Sequence, residues 1–263
     1  MIAEQYRKML DAKSVIRQLS EKATKRAQII GAENVFDYSL GNPSVPAPAE
    51  FKQALLDLIE KEDPMTLHGY SPTLGIPSVK TAIAESLNCR FDMNYGPEHI
   101  FTVSAAAAAI AHALRAVTVP GDEVLTFAPF FPEYHPYVDL TGAVLKVVPA
   151  DTKSFQINFE AFEEMLGPRV AAVLVNTPNN PSGAVYSAET LTKLAEVLTR
   201  KAEQYGHDIF LISDEPYREI VFDGKQQPYV SKFYANTISC YSFSKALSVS
   251  YTHLRAHETE LHL

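Results

Sequence analysis

In the 263-residue sequence, the stretch Ser239-Cys240-Tyr241-Ser242-Phe243-Ser244-Lys245-Ala246-Leu247-Ser248 sets one lysine among serines directly after a β-rich run. Such a lysine can be a solvated surface residue, an anion-binding group or an activated amine. The last role carries a requirement: an amine attacks an aldehyde only when deprotonated, and an ordinary lysine, with a pKa of about 10.4, is charged at neutral pH. Burial, or neighbours that share its proton, makes the neutral amine available. Other chemistry-bearing stretches lie upstream. Asp214-Glu215-Pro216-Tyr217 pairs a carboxylate with a phenol, and Asn176-Thr177-Pro178-Asn179-Asn180-Pro181 sets amides in a proline-rich loop. Phe130 and Phe131 are adjacent aromatics, and Ser104-Ala105-Ala106 stands where a helix start would offer free N–H groups to an anion. Each also has an ordinary reading. Asp214 can be a cap or turn residue, Asn180 a turn residue, Phe131 a core ring, and the run SAAAAA (104–109) a helix without a ligand.

The elements that must position these groups alternate along the chain. Helical spacing covers residues 2–28, 49–60 and 76–88, with Gly31 ending the first, a short strand at Val35–Leu40, and turn-rich segments at 41–48 and 63–75. Strand His99–Val103 then leads into helix Ala105–Val117, and strands are expected at Glu123–Phe127, Val144–Val148, Val170–Asn176, Asp208–Ser213 and Thr237–Tyr241. Helices around Phe159–Leu166 and over Ala188–Tyr205 separate them. This rhythm predicts an α/β fold: a mostly parallel central sheet with helices on both faces. In such folds ligands sit at the carboxyl ends of the strands, which is where all five chemistry-bearing stretches fall. A phosphate-binding backbone, an aromatic plate, an amide, a carboxylate and a lysine together are what an aromatic, phosphorylated, aldehyde-bearing cofactor requires.

Composition removes other classes. A 46% hydrophobic, 10% aromatic chain can bury a substantial core, and a formal charge of −8 argues against a nucleic-acid partner. Two cysteines make no disulfide framework, and the first thirty residues hold neither a signal peptide nor a membrane span, so a soluble cytoplasmic protein is expected. There is no GxGxxG and no GxxxxGK[ST]. The histidines of HETELH (257–262) are five apart rather than four, so no metal site is expected there.

The blocks NTPNNPSG (176–183), SDEPY (213–217) and SFSKA (242–246) resemble the signature blocks of class I/II aminotransferases, pyridoxal-phosphate enzymes of fold type I. DYSLGNP (37–43), GYSPTLG (69–75), PGDEV (120–124) and PFFPEY (129–134) match in the same order, so the resemblance covers roughly residues 30–249.

The resemblance implies roles by position. Lys245 forms the Schiff base with pyridoxal 5′-phosphate and shuttles the substrate proton, and Asp214 keeps the pyridine nitrogen protonated. Tyr217 and Asn180 bond the cofactor's phenolic oxygen, Asn180 also serving the substrate; Phe131 stacks on the ring while Phe130 packs inward. The phosphate falls to Ser104, Ala105 and Ala106, with Ser242 and Ser244, and to Tyr70 from a neighbouring subunit; Gly41 lies near the substrate carboxylate. The reaction implied is transfer of an amino group from an L-amino acid to a 2-oxo acid by a homodimer, with no membrane or nucleic-acid partner. Carbon–sulfur β-lyases on the same scaffold, and a non-catalytic cofactor-binding sensor module, are the alternatives. The domain plan implied is an N-terminal helix and entrance segment (1–45), a large cofactor-binding domain (46–249) and a tail (250–263) that departs from the family. The family's phosphate-pairing arginine would fall at 253, where this sequence has His253, with Arg255 two positions further on. On this reading the small C-terminal domain is mostly missing, and the chain is a truncated member of low or no activity.

Overall fold

The computed structural model describes residue 7 and residues 15–39, 41, 45–222, 224 and 226–249. The chain divides into two compact units between Pro46 and Ala47. In the first unit, helix α1 (Val15–Ile30) ends where Gly31 takes φ 89°, a backbone that a side chain would strain, and a 3₁₀ turn follows at Ala32–Asn34. The strand expected from Val35 does not form over the described residues 35–39. The backbone is extended at Val35, but extended backbone becomes a strand only when a neighbour takes its hydrogen bonds.

The second unit opens with helices α2 (Ala49–Lys61), α3 (Pro64–His68) and α4 (Pro77–Phe91). Helix α3 lies inside the segment 63–75 that was expected to be turn-rich. Pro64 is preset for a first helical position, and the Asp63 carboxylate accepts from the Thr66 N–H. The expected strand His99–Val103 is also absent. Pro97–His99 is a 3₁₀ turn in which the Gly96 N–H donates to His99 Nδ1, and Ile100–Val103 joins no ladder.

Helix α5 (Ala106–Val117) leads into β1 (Glu123–Phe127), helix α6 (Tyr134–Asp139) and β2 (Val144–Val148). Helix α7 (Phe159–Met165), β3 (Val170–Asn176) and helix α8 (Ala188–Tyr205) follow, then β4 (Phe210–Asp214), β5 (Thr237–Cys240) and helix α9 (Phe243–Ala246). Asn158 and Ser187 cap α7 and α8, and Gly206 closes α8 with φ 72°. Strands β1, β2 and β3 and helix α8 have the expected bounds. Strand β4 begins two residues later than expected and ends one residue later, because Asp214 is its last paired residue, opposite both Asn176 and Cys240. Strand β5 stops at Cys240, one residue before the expected end.

The five strands lie in the order β2-β1-β3-β4-β5, all parallel. Alternation along them divides the core in two. Leu125, Val173, Val175 and Leu211 face Phe162 of α7 and Leu191, Leu194 and Leu198 of α8. Val124, Ala172, Leu174 and Ile212 face Ile110 and Leu114 of α5 and Tyr134 and Val138 of α6. Helices therefore cover both faces, as the α/β rhythm predicted. From β1 the chain moves outward to β2 and then returns past β1 to β3, so the winding reverses between β1 and β3 and opens a crevice at their carboxyl ends.

Leu198 of α8 has no exposed surface and packs in the first of these cores. Leu198→Ala should lower stability by about 3 kcal/mol, read as a lower urea midpoint with an unchanged slope. A loss below about 1 kcal/mol would mean that α8 is not seated as described.

Candidate active site

The loops leaving the carboxyl edge are braced before they present any functional group. Asn176, the last residue of β3, donates from Nδ2 to the Asp214 main-chain oxygen at 2.9 Å and accepts from the Asn180 N–H at 2.6 Å. Asn179 accepts from both the N–H and the hydroxyl of Ser182, at 3.0 and 2.8 Å, and donates to the Pro129 carbonyl at 3.2 Å. That last bond joins the loop after β3 to the loop after β1, across the crevice. Asn180 is thus presented by a loop whose own polar groups are already satisfied.

Asp214 is 5% exposed. Its Oδ2 accepts from the Tyr134 hydroxyl at 2.6 Å, whereas Oδ1 is buried with no hydrogen-bond partner. Burial pushes its pKa up from the ordinary 3.8 to about 6; the Tyr134 hydrogen bond opposes that rise and the nearby Glu215 charge adds to it. Tyr134 is itself fully buried, and desolvation with the adjoining Asp214 charge drives its phenol far above the ordinary range. Tyr217, half-buried just beyond β4, is also raised, first by burial and then by Asp214, with a hydrogen bond to Asn180 opposing.

Lys245, expected at a strand end, instead rides on the short helix α9, which begins three residues beyond β5. Ser242 caps this helix by accepting from the Ser244 N–H at 3.1 Å, and the two hydroxyls lie 2.7 Å apart. The start of α5 is at the same edge. The helix joins the amino end of β1 through the short turn 118–122, and twelve residues rise about 18 Å, roughly the length of the strand it leads into. No side chain caps α5, and Ala105 precedes it in extended backbone (φ −170°, ψ 166°). The N–H groups of its first turn are therefore open to a ligand.

The sheet thus brings Asp214, Tyr217, Asn180, Ser242, Ser244, Lys245 and the Ser104–Ala106 segment to one edge. Phe130 and Phe131 join them without the expected division of inward and outward rings. Both are half-buried, and both meet Tyr134, Phe130 stacked at 6.4 Å and Phe131 edge-on at 5.8 Å. Tyr70 is not in this cluster: its side chain is fully exposed in the segment between α3 and α4. Gly41 belongs to the first unit. His253, Arg255 and the rest of 250–263 lie outside the described residues.

Sequence reasoning missed Tyr134, Asn176 and Asn179. The asparagines stood inside a recognised block, but their bracing role depends on a neighbouring strand. Tyr134 also closes a recognised block, PFFPEY, but in a segment with no expected element, and helix α6 brings it to Asp214. Among the described residues, no group of three His, Cys, Asp or Glu could hold a metal, and no helix is long and apolar enough to cross a membrane.

Comparison with known proteins gives a consistent result. A family model described as aminotransferase class I and II matches residues 33–250. The chain is 30% identical over 201 residues to an aspartate aminotransferase of Thermotoga maritima, covering 76% of this chain and 51% of that protein. It is 33% identical over 215 residues to a probable N-succinyldiaminopimelate aminotransferase of Mycobacterium tuberculosis, covering 81% and 50%. Among solved structures, an amino transferase from Eubacterium rectale superposes with a TM-score of 0.90 at 44% identity, covering 95% of this chain and 63% of that one. The chain spans about half the length of the curated relatives it matches.

The raised pKa of Asp214 has a signed consequence. A carboxyl that titrates near 6 when folded and near 3.8 when unfolded favours the fold at low pH, and loses that contribution as pH climbs through 6. In the cofactor-free protein, the stability of wild type relative to Asp214→Asn should fall by up to roughly 3 kcal/mol between about pH 4 and 7 and then level off. Tyr134→Phe removes the donor, so the fall should extend to higher pH. Urea titrations across this range that give a constant difference would rule out the assignment.

Proposed function

The chain belongs to the class I and II aminotransferase family, and on that premise we propose that it carries the cofactor-binding half of an aminotransferase that moves an amino group from an L-amino acid to a 2-oxo acid. Members of this family use pyridoxal 5′-phosphate. The observation that carries the reading is the bare Oδ1 of Asp214: a buried, ionisable oxygen without a partner, next to one already satisfied by Tyr134. A buried polar atom left unpaired is costly, and a protonated ring nitrogen is the partner that removes the cost. The residues present therefore fit the cofactor.

When bound, pyridoxal phosphate supplies the aldehyde that takes up the amino group and the ring that draws electron density from the substrate Cα. The chain's own residues do the rest. Asp214, ionised, accepts from the protonated ring nitrogen and keeps the proton there. Lys245 would provide the amine that holds the cofactor covalently; once displaced, its Nζ would take the proton from the substrate Cα and deliver it to the carbon that was the cofactor's aldehyde. Tyr217 and Asn180 donate to the phenolic oxygen, and Phe131 offers an apolar face to the ring. The open first turn of α5, with the Ser242 and Ser244 hydroxyls, receives the phosphate. Transamination is favoured over β-elimination because the curated relatives in the comparison are themselves called aminotransferases.

The complete enzyme is a homodimer on this reading. Support comes from Tyr70, fully exposed, and from Leu56, Leu58, Ile59, Met65, Leu74 and Ile76, apolar side chains exposed around it in sequence. Sedimentation at micromolar concentration should give twice the monomer mass, and Tyr70→Phe should weaken cofactor binding in the dimer. A monomer that binds cofactor fully would overturn it.

The central test is covalent. Borohydride reduction of the protein with pyridoxal phosphate, followed by peptide mapping, should place the pyridoxyl group on Lys245, and Lys245→Ala should abolish the label. A label on another lysine would refute the assignment.

A further inference from the structure

Directly behind the candidate site lies a second buried ionic system that the proposed chemistry does not use. Glu215, the residue after Asp214, has no exposed surface. Its Oε2 meets Arg218 Nη1 at 3.2 Å, its Oε1 accepts from the Ser239 hydroxyl at 2.9 Å, and its N–H donates to the Cys240 carbonyl at 2.8 Å. The Arg218 side chain is only 5% exposed. Its guanidinium lies 4.3 Å from the Tyr241 ring centroid, 5.1 Å from Phe91 and 5.4 Å from Tyr229. Phe91 and Tyr229 are themselves stacked at 4.5 Å. Outside this enclosure, Glu219 receives Arg218 Nε at 3.5 Å, and Arg90 Nη2 donates to both of its oxygens at 2.7 and 2.6 Å.

The position of this cation in the chain matters. Arg218 follows Tyr217, and Tyr241, its nearest aromatic contact, precedes Ser242. The β4–β5 ladder ends at the Asp214–Cys240 pair, and its last main-chain bond runs from the Glu215 N–H to the Cys240 carbonyl. Beyond Glu215 the ladder therefore no longer holds the two outgoing segments in register. One planar cation spans that gap. A buried ion pair adds little net stability over apolar residues of the same volume, so its effect here is on placement rather than on folding free energy. The pair also neutralises a carboxylate adjoining Asp214, whose own proton affinity Glu215 raises. Lysine cannot substitute, because it lacks both the planar group that reaches Glu215 through Nη1 and Glu219 through Nε, and the face that lies on the rings.

We propose that Arg218 is a positioning residue of the active site: its guanidinium, enclosed by Phe91, Tyr229 and Tyr241 and paired with Glu215, sets the spacing between the Tyr217 segment and the Ser242–Lys245 segment. This rests on the reading of Lys245 as the cofactor lysine. The test uses the 263-residue protein, its Arg218→Lys variant, and the double variant Glu215→Gln with Arg218→Met, which removes both charges and so avoids a buried unpaired carboxylate. Three quantities are measured: the pyridoxal phosphate dissociation constant, the pH midpoint of the bound chromophore, and the melting temperature of the cofactor-free protein. In Arg218→Lys, cofactor binding should weaken by about tenfold or more and the midpoint should shift, while the melting temperature moves by only a few degrees. The double variant should stay folded and show the same weakened binding. A wild-type protein that forms no adduct at Lys245 overturns the functional reading, and this proposal with it. A wild-type adduct, with both variants binding within about twofold of it at an unchanged midpoint, overturns the role of Arg218 alone. If both variants fail to fold, the pair is a folding element and the positioning role is refuted.

Discussion

Taking a carboxylate out of water costs several kcal/mol unless something nearby compensates its charge or its lone pairs, and at Asp214 that compensation is only half supplied. Tyr134 covers one oxygen; the other is buried with no hydrogen-bond partner. The surroundings make this arrangement tolerable. The Asp214 main-chain oxygen is held by Asn176, so the strand end does not move to relieve the side chain. The neighbouring Glu215, which would otherwise add a second buried negative charge, is matched by Arg218 and hydrogen-bonded by Ser239. Tyr134 is kept in place by Phe130 and Phe131 and by its seat in the core beneath β1.

The opposite edge of the same sheet shows a carboxylate whose bonds are complete. Glu123, 3% exposed at the start of β1, meets Lys146 at 2.7 Å and Arg169 at 2.6 Å, each on a different oxygen. Burial pushes its pKa up, but the two cations outweigh that and leave it below the ordinary value. The two sites differ in sign for a physical reason. Glu123 is buried among cations that stay with it, whereas Asp214 is buried beside a neutral phenol and keeps a lone pair unsatisfied. The first arrangement ties the start of β1 to the middle of β2 and to the residue that precedes β3. The second holds an acid near the middle of the titration range, where a cationic partner would shift it strongly.

Legibility in the sequence followed hydrophobic continuity. Strands β1, β2 and β3 are short apolar runs bounded by turn residues, and α8 carries an uninterrupted helical period between Ser187 and Gly206, so their bounds were readable. The strands expected at Val35–Leu40 and His99–Val103 had the right residue types, but among the described residues neither has a neighbouring strand, a condition that a local pattern cannot express. Helix α6 was unreadable for the opposite reason. It is six residues long with Pro136 inside it, too short for periodicity, and it is held by packing of Tyr134 and Val138 against the sheet.

From the sequence alone came the parallel α/β rhythm, the order of the blocks, and the residue types that converge on one sheet edge: Lys245, Asp214, Tyr217, Asn180 and the serines around the lysine. Those follow from composition and spacing, which are properties of the chain taken in order. What only the tertiary structure decided is how these groups are held. Tyr134 meets Asp214 eighty positions away, Asn179 meets Pro129 across the crevice, and Arg218 meets Phe91 and Tyr241 from different elements. Hydrogen bonds and ring contacts of this kind depend on ångström-scale approach between segments distant in the chain. That approach is set by the strand order β2-β1-β3-β4-β5 and the packing of helices on its two faces, which no local stretch of sequence encodes.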